Sequence, residues 1–469
     1  MSTQAKKVRD FTEGPILSQI IKFTVPLIIT GVMQLLFNTA DTIVVGRWGG
    51  ATPEACEKAL AAVGSCGSVI NLLTLLLANL SLGAGVSVAQ DIGAKDYDGV
   101  RRTVHTSVLL SLTTSVILMG IGFGFARPLL TVMGTDPGVM DQAVPYIFAY
   151  FCGLPAKILY NYCAAILRSA GETTRPMAYL FAAGVLNVGL NLVMVLVFHM
   201  GALGVGIATA ASFWLSAILV LIHMVRTDAP YRLELGKLFI DGEKLKKILR
   251  IGIPAGVQGM VFSFSHVLIQ GSINSLGTAV VAGNTSSANL DGYIYQPMNA
   301  FYQAAVTFVG QHKGAKKYQR MKKCILCCVV CVVIVGASLG WLMIAFGPFL
   351  LELYTPGNTA AVEAGMTRMM VCTSLYFLCG LMEVGSGIMR GLGHSTTSMV
   401  TSLLGSVAFR VFWIMVVFAH FPTLTVLYLS YTIGWILTAS AHFTLAFFAL
   451  RREKRMVEEA TSQAADEAV

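Results

Sequence analysis

Apolar residues run along this chain in long blocks, and polar residues gather between the blocks in short stretches rich in charge, Gly or Pro. Blocks such as 104–126 and 411–450 are 20 residues or longer, enough as helices to cross a hydrocarbon core of roughly 30 Å. Cutting the chain at the interruptions predicts twelve helices, near 15–46, 58–91, 98–126, 138–168, 174–199, 202–226, 243–275, 279–311, 318–346, 360–390, 396–420 and 423–450. Several exceed 25 residues, so tilt or kinking must absorb the excess, and Pro26 and Pro254 are the expected hinges. The pattern predicts an all-α integral membrane protein with twelve transmembrane helices.

Composition agrees with the pattern. Of 469 residues, 55% are hydrophobic and 12% charged, against about 25% charged in soluble proteins. A soluble enzyme, a disordered chain and a fibre are all excluded. The opening MSTQAKKVRD lacks a short apolar core before a small-residue cleavage site, so no signal peptide is expected. Ten Cys fall almost wholly inside the apolar blocks, where a thiol behaves as a small hydrophobe, so no disulfides are expected.

Basic residues set the expected orientation. The termini and the loops after even-numbered helices hold 27 of the 33 Lys and Arg, whereas the loops after odd-numbered helices hold Arg47, Lys58, Arg127 and Arg368. Positive flanks stay in the cytoplasm, so both termini are expected there. Topology and anionic headgroups then explain the net charge of +9, with membrane lipids as partners and no nucleic acid.

The chain also repeats itself. Val88-Ala89-Gln90-Asp91-Ile92-Gly93-Ala94-Lys95 returns 221 residues later as Val309-Gly310-Gln311-His312-Lys313-Gly314-Ala315-Lys316. Ile166-Leu167-Arg168-Ser169-Ala170-Gly171 returns as Ile388-Met389-Arg390-Gly391-Leu392-Gly393, and Val25-Pro26 with Gly31 returns as Ile253-Pro254 with Gly259 at offset 228. Six helices per repeat is an even number, so two six-helix pseudo-symmetric lobes of like orientation are expected, an architecture that transporters use for alternating access. The expected organisation is a cytoplasmic segment 1–14, an N-terminal lobe 15–226, a cytoplasmic linker 227–242, a C-terminal lobe 243–450 and a cytoplasmic tail 451–469.

These motifs carry a resemblance. Val25-Pro26 followed by Asn38 and Asp41-Thr42-Ile43-Val44-Val45-Gly46, the Gln-x-x-Gly-Ala-Lys element, Leu167-Arg168-Ser169-Ala170-Gly171-Glu172-Thr173 and Asn187 together resemble the multidrug and toxic compound extrusion (MATE) family. That family belongs to the multidrug/oligosaccharidyl-lipid/polysaccharide flippase superfamily. The likeness covers about residues 12–450 and implies a two-lobed antiporter in a bacterial cytoplasmic membrane, exporting organic cations in exchange for protons or sodium. A lipid or lipid-linked oligosaccharide flippase of the same superfamily is the alternative. Neither reading is an enzyme. No cofactor beyond a coupling ion, H+ or Na+, is expected, and a monomer is.

Polar groups at membrane depth are expensive and usually functional. Gln34, Asn38 and Asp41 stand at i, i+4 and i+7 on one helical face, and Asn187 and Asn191 share another. One pocket built from both faces would offer a carboxylate and several amide oxygens to a proton or sodium ion. The resemblance adds Thr209 to this ion-coupling set and exposes a departure, because many members carry Asp where this chain has Asn191. Loss of that charge favours a protonatable Asp41 over two-carboxylate sodium binding; a cap that pairs with Arg47 is the structural alternative.

Glu383 and Asn161 each lie seven residues before an Arg of the repeat, at matching sites. Glu383 could attract a cation, carry a second proton or pair with Arg410. Asp291 could be a third membrane acid unless its helix breaks there. His266, Tyr293, Tyr295 and Tyr302 are further candidates for a substrate cavity that takes small cationic or amphipathic molecules. Lys157 receives no role, and His442 reads as interfacial. Cys324, Cys327, Cys328 and Cys331 form one straight stripe that cannot close a tetrahedron, so no metal is expected. No Walker sequence is present, which leaves an ion gradient or the substrate itself as the energy source.

Overall fold

The computed structural model describes the backbone of residues 8–466, with the side chains of all of these except 68, 69, 71–78 and 460–466. Twelve long helical rods follow one another among the described residues. They are α1 Ile16–Trp48, α2 Pro53–Gly93, α3 Tyr97–Val132, α4 Pro137–Ser169, α5 Thr174–Val197 and α6 Gly201–Arg226. After them come α7 Gly242–Asn274, α8 Thr278–Gly314, α9 Tyr318–Ala345, α10 Thr359–Gly391, α11 Ser395–Phe418 and α12 Leu424–Asp466. Ten of the twelve meet a membrane-span criterion of length and hydropathy among the described residues. The chain is an all-α integral membrane protein of twelve transmembrane helices in two six-helix pseudo-symmetric lobes.

Helix ends differ from the sequence expectation where local chemistry extends them. α2 starts at Pro53 because the Thr52 hydroxyl accepts from the Ala55 N–H at 3.2 Å and proline suits the first turn. An unforeseen short helix, Gly347–Tyr354, precedes α10 and buries Leu351. α12 continues past 450, and its extension seats Glu453 on Lys313 at 2.6 Å. Single turns of wider helix end α5 at Val193–Val197, interrupt α11 at Leu403–Ala408 and end it at Trp413–Phe418. Such turns gather at functional sites.

The chain divides into two compact units. Among the described residues the first comprises 8–9, Ile29–Val88 and Asp96–Gly256; the second comprises Asp10–Ile28, Ala89–Lys95 and 257–466. The division passes through α1 after Ile28 and through α7 after Gly256, each time two residues beyond the helix's proline. A proline inside a helix removes one backbone donor and crowds the preceding turn, so Pro26 and Pro254 weaken α1 and α7 beside the points where the chain changes unit.

In the first unit α4 carries the core, with Tyr162, Phe151, Leu154 and Ile147 almost fully buried. α6 reaches it because Gly153 and Gly206 leave no Cβ, and one on Gly153 would stand 2.6 Å from the Ala210 Cα. The second unit's core centres on α8 and α10, where Phe308, Ala304 and Ile388 pack with Phe11 and Phe23 of the chain's start. Phe11 stacks on Phe308 at 4.2 Å, and its N–H donates to the Gln311 side chain at 2.9 Å. Cys324 and Cys328 of the stripe are buried in this core, which is a packing role.

The repeat is written into the backbone. Lys95 and Lys316, 221 residues apart, both adopt the left-handed conformation, with φ of 60° and 56°. Gly171 and Gly393 do so at 86° and 83°, ending α4 and α10 with a turn that only glycine takes without strain. Inside the second unit the two Gln-x-x-Gly elements meet reciprocally: Gly93 lies on the Gln311 carbonyl and Gly314 on the Gln90 carbonyl, each too close to admit a Cβ.

Candidate functional site

Each unit holds a cavity. The first unit's, about 450 Å³, is lined from α1 by Gln34, Phe37, Asn38 and Asp41, from α4 by Tyr146, Tyr150, Lys157 and Asn161, and by residues of α5 and α6. Asp41 lies well inside α1 and its carboxylate accepts from Asn191 Nδ2, so it neither caps the helix nor pairs with Arg47. Asn191 Nδ2 also reaches Asn187 Oδ1 at 3.4 Å, and Asn187 Nδ2 donates to Thr209 Oγ1 at 3.4 Å. Asn187, Asn191 and Thr209 are buried, whereas Gln34 and Asn38 line the cavity with exposed side chains. Asn191 Oδ1 is buried without a donor among the described residues. The six ion-coupling candidates thus cluster around α1, α5 and α6.

Lys157, which the sequence left without a role, lines the same cavity. Its Nζ donates to the Tyr150 hydroxyl at 2.6 Å and sits 5.3 Å from the ring centres of Tyr150 and Phe213. The contact with two aromatic faces stabilises the cation away from water. A lysine two residues after Pro155 in an otherwise apolar helix was the available signal.

The second unit's cavity is about 460 Å³ and carries more charge. α8 is unbroken at Asp291, so the acid lies inside the fold rather than at a helix break. Its Oδ2 accepts from Arg368 Nη2 at 3.0 Å and its Oδ1 from the Thr373 hydroxyl at 2.7 Å. Arg368 also donates to Asn284 Oδ1 at 2.6 Å. It therefore belongs to α10 and to a buried ion pair, not to a loop after the ninth helix. Arg410, only 3% exposed, donates to the Ser265 hydroxyl at 3.1 Å and lies 4.3 Å from the Tyr431 ring centre. No ion pair joins it to Glu383 among the described residues, although both line this cavity.

His266 and Tyr295 also line it; Tyr293 and Tyr302 do not. Tyr302 is buried instead beneath Arg390, which donates to its hydroxyl and to Gln258 Oε1 at 2.8 Å. His442 is fully buried, not interfacial, with its ring against the Met382 and Ser398 carbonyls.

The two cavities occupy equivalent places in the repeat. At offset 228, Gln34, Asn38 and Asp41 correspond to Phe262, His266 and Ile269. At offset 222, which relates Ile166 to Ile388, the residues Tyr146, Tyr150, Lys157, Asn161, Gly184, Thr209 and Phe213 correspond to Arg368, Cys372, Cys379, Glu383, Ser406, Tyr431 and Trp435. Every one of these residues lines its own unit's cavity. The matched sites proposed for Asn161 and Glu383 are two of them.

Comparison with known proteins fits this duplication. The family model described as MatE matches twice, over residues 26–193 and 254–416. A Bacillus subtilis protein named probable multidrug resistance protein YpnP is 25% identical over 410 residues, 87% of this chain and 88% of that one. A Thermotoga maritima protein named probable multidrug resistance protein NorM is 24% identical over 395 residues, 82% of each. Among solved structures, an outward-facing multidrug resistance MATE family transporter of the MOP superfamily superposes with a TM-score of 0.88 at 21% identity, over 97% of this chain and 99% of that one. A MOP superfamily transporter from Pyrococcus furiosus, described as having a binding pocket of reverse polarity, gives 0.84 at 21% identity over 98% of both chains. With its two matched halves covering most of its length, the chain belongs to the MatE family of multidrug efflux transporters.

Proposed function

We propose that the protein is a proton-coupled antiporter that exports organic cations or amphipathic xenobiotics by alternating access, with Asp41 as the proton carrier. The observation that carries this reading is the hydrogen bonding around Asp41. Among the described residues it is the one carboxylate lining the first unit's cavity, and Asn191 Nδ2 donates to it. A sodium ion needs several oxygens turned toward one centre, whereas here Asn191 and Asn187 present Nδ2 donors to Asp41 and Thr209. A protonated carboxyl needs only one acceptor, and Asn191 Oδ1 is a buried acceptor without a donor among the described residues.

Protonation from outside removes a charge from the cavity and shifts the balance between the two openings, while release inside restores it. Pro26 and Pro254 serve as the points at which α1 and α7 bend. Both termini lie in the cytoplasm and the protein works as a monomer in the cytoplasmic membrane, as a transporter and not an enzyme. Lys157 and Arg410 favour one second reading, a flippase for an anionic lipid-linked headgroup, because cations in both cavities would oppose a simple organic cation.

Efflux of ethidium from cells separates the readings. Export by the wild-type protein should stop with a protonophore and persist without sodium, and Asp41→Asn at equal surface level should abolish it. Undiminished export by Asp41→Asn removes the proposed carrier; export that follows the sodium gradient removes the proton.

A further inference from the structure

We infer that the second unit's cavity is a binding site for a small aromatic zwitterion, its carboxylate held by Arg410 and its ammonium by Glu383. The argument is one of unmatched charge. Asp291 and Arg368 satisfy each other, since both carboxylate oxygens accept bonds and the guanidinium is shared with Asn284. That pair adds no net charge to the cavity.

Arg410 is different. It is 97% buried, its neutral partners are the Ser265 hydroxyl and the Tyr431 face, and among the described residues its buried Nε has no acceptor. It sits in α11 between the two wide turns at Leu403–Ala408 and Trp413–Phe418. Glu383 of α10 lines the same cavity, and no hydrogen bond or ion pair among the described residues engages its carboxylate. Among the described residues, then, Arg410 has no anionic partner, and no hydrogen bond reaches the Glu383 carboxylate, on which only the charge of Arg390 acts from a distance.

A buried charge persists best when paired, and the two groups do not pair with each other. A monocation bound at Glu383 meets the Arg410 charge in a medium of low polarity, and a monoanion at Arg410 meets Glu383. A molecule with both charges completes both pairs and brings no net charge into the membrane. Tyr295, Tyr376, Tyr431 and Trp435 supply aromatic walls for its body. The volume of about 460 Å³ suits a molecule of modest size. His266, the remaining charged-capable group of this face, lies beside Tyr431 with ring centres 6.3 Å apart.

The inference deepens the export reading by naming a cargo class, yet it is measured by binding alone. A protein that binds the zwitterion but pumps nothing fails only the export reading. The test uses the purified full-length protein in lipid nanodiscs at pH 7, titrated calorimetrically with 4-(2-aminoethyl)benzoic acid, its methyl ester and 4-ethylbenzoic acid, which are a zwitterion, a monocation and a monoanion on one ring. The zwitterion should bind at least about tenfold more tightly than either relative, since each charge-assisted contact is a sizeable share of a small ligand's affinity. Arg410→Gln should weaken the zwitterion by about tenfold or more and spare the ester; Glu383→Gln should weaken zwitterion and ester and spare the anion. Thermal unfolding establishes that each variant is folded, and either variant alone suffices for the test. Equal binding of the three probes by the wild-type protein, or tightest binding of the ester, overturns the inference.

Discussion

The number of carboxylates in the first unit's cavity sets a measurable property of transport, its dependence on voltage. Asp41 is the one acid lining that cavity among the described residues, so under the proposed coupling each cycle takes up one proton there. One proton exchanged for one monovalent cation moves no net charge, and the membrane potential contributes nothing. The pH gradient alone drives such a cycle, giving a cation ratio of about tenfold per pH unit, which corresponds to about 1.4 kcal/mol. A second proton per cycle would move one charge, and 100 mV would then add about 2.3 kcal/mol, or roughly another 50-fold. Proteoliposomes loaded under a one-unit pH gradient, with the potential set by potassium and valinomycin at either zero or 100 mV, distinguish these cases through ethidium accumulation. The expected ratio is about tenfold at both potentials, and Asp41→Asn should let ethidium equilibrate without accumulating. A potential-dependent gain near 50-fold would refute single-carboxylate coupling and bring in a second acid such as Glu383. Full accumulation by Asp41→Asn would refute the carrier itself.

Three further outcomes follow from particular contacts. Arg368→Ala leaves Asp291 buried without its cation and should cost about 3–5 kcal/mol, whereas Asp291→Leu with Arg368→Met should cost far less; thermal unfolding followed with a thiol-reactive dye reads both through the buried cysteines. Gly93→Ala or Gly314→Ala inserts a methyl group against a Gln carbonyl and should lower stability by about 1–3 kcal/mol in the same assay, while Gly64→Ala, with open space at its Cβ, should not. Between α6 and α7, Glu234 is held below the usual carboxylate range by its hydrogen bond to Lys237, with Arg101 adding to the effect, and Asp241 by the Lys244 N–H, with Arg102 beside it. Both pKa values are depressed on folding, so these contacts are fully present above the ordinary carboxylate range and are lost as pH falls through the folded values. Protease cleavage within 227–241 should stay constant from about pH 5 to 8 and rise below about pH 4.

Helix number, the repeat and the polar faces of α1 and α5 were legible in the sequence because each rests on spacing along one helix. Asp41 and Asn191 lie on two such faces, and the fold joins them through one hydrogen bond. What spacing could not show is the pairing of side chains from different helices. Arg368 counted as a loop charge because its helix begins only nine residues earlier, and nothing local points to Asp291 as its partner 77 residues away. Arg410 was weighed only as a partner for Glu383, and the Tyr431 face that holds it comes from α12. His442, near the middle of a helix that runs on to Asp466, looked interfacial only because that helix was expected to end at 450.

The ten matched lining positions explain how one duplication supplies two different sites. Backbone features that both repeats need have been kept, such as the left-handed Lys95 and Lys316 and the turn glycines Gly171 and Gly393. A cavity wall is under no such demand, because a side chain facing open space can change size without overpacking a neighbour. Its charge is also free to change so long as a partner or an aromatic face accommodates the result. Hence Lys157 is matched by Cys379, Asn161 by Glu383, Asn38 by His266 and Tyr146 by Arg368, each pair at one place in the fold and of unlike chemistry. Among the described residues the first unit's cavity thereby holds one acid, Asp41, with Lys157 and several amides, and the second holds two acids and two arginines among aromatic rings, which is the difference on which the proposed proton and cargo roles rest. An exporter needs only that ion and cargo favour opposite conformations; they need not touch, and under the proposed reading two diverged copies of one cavity would let each take its own site.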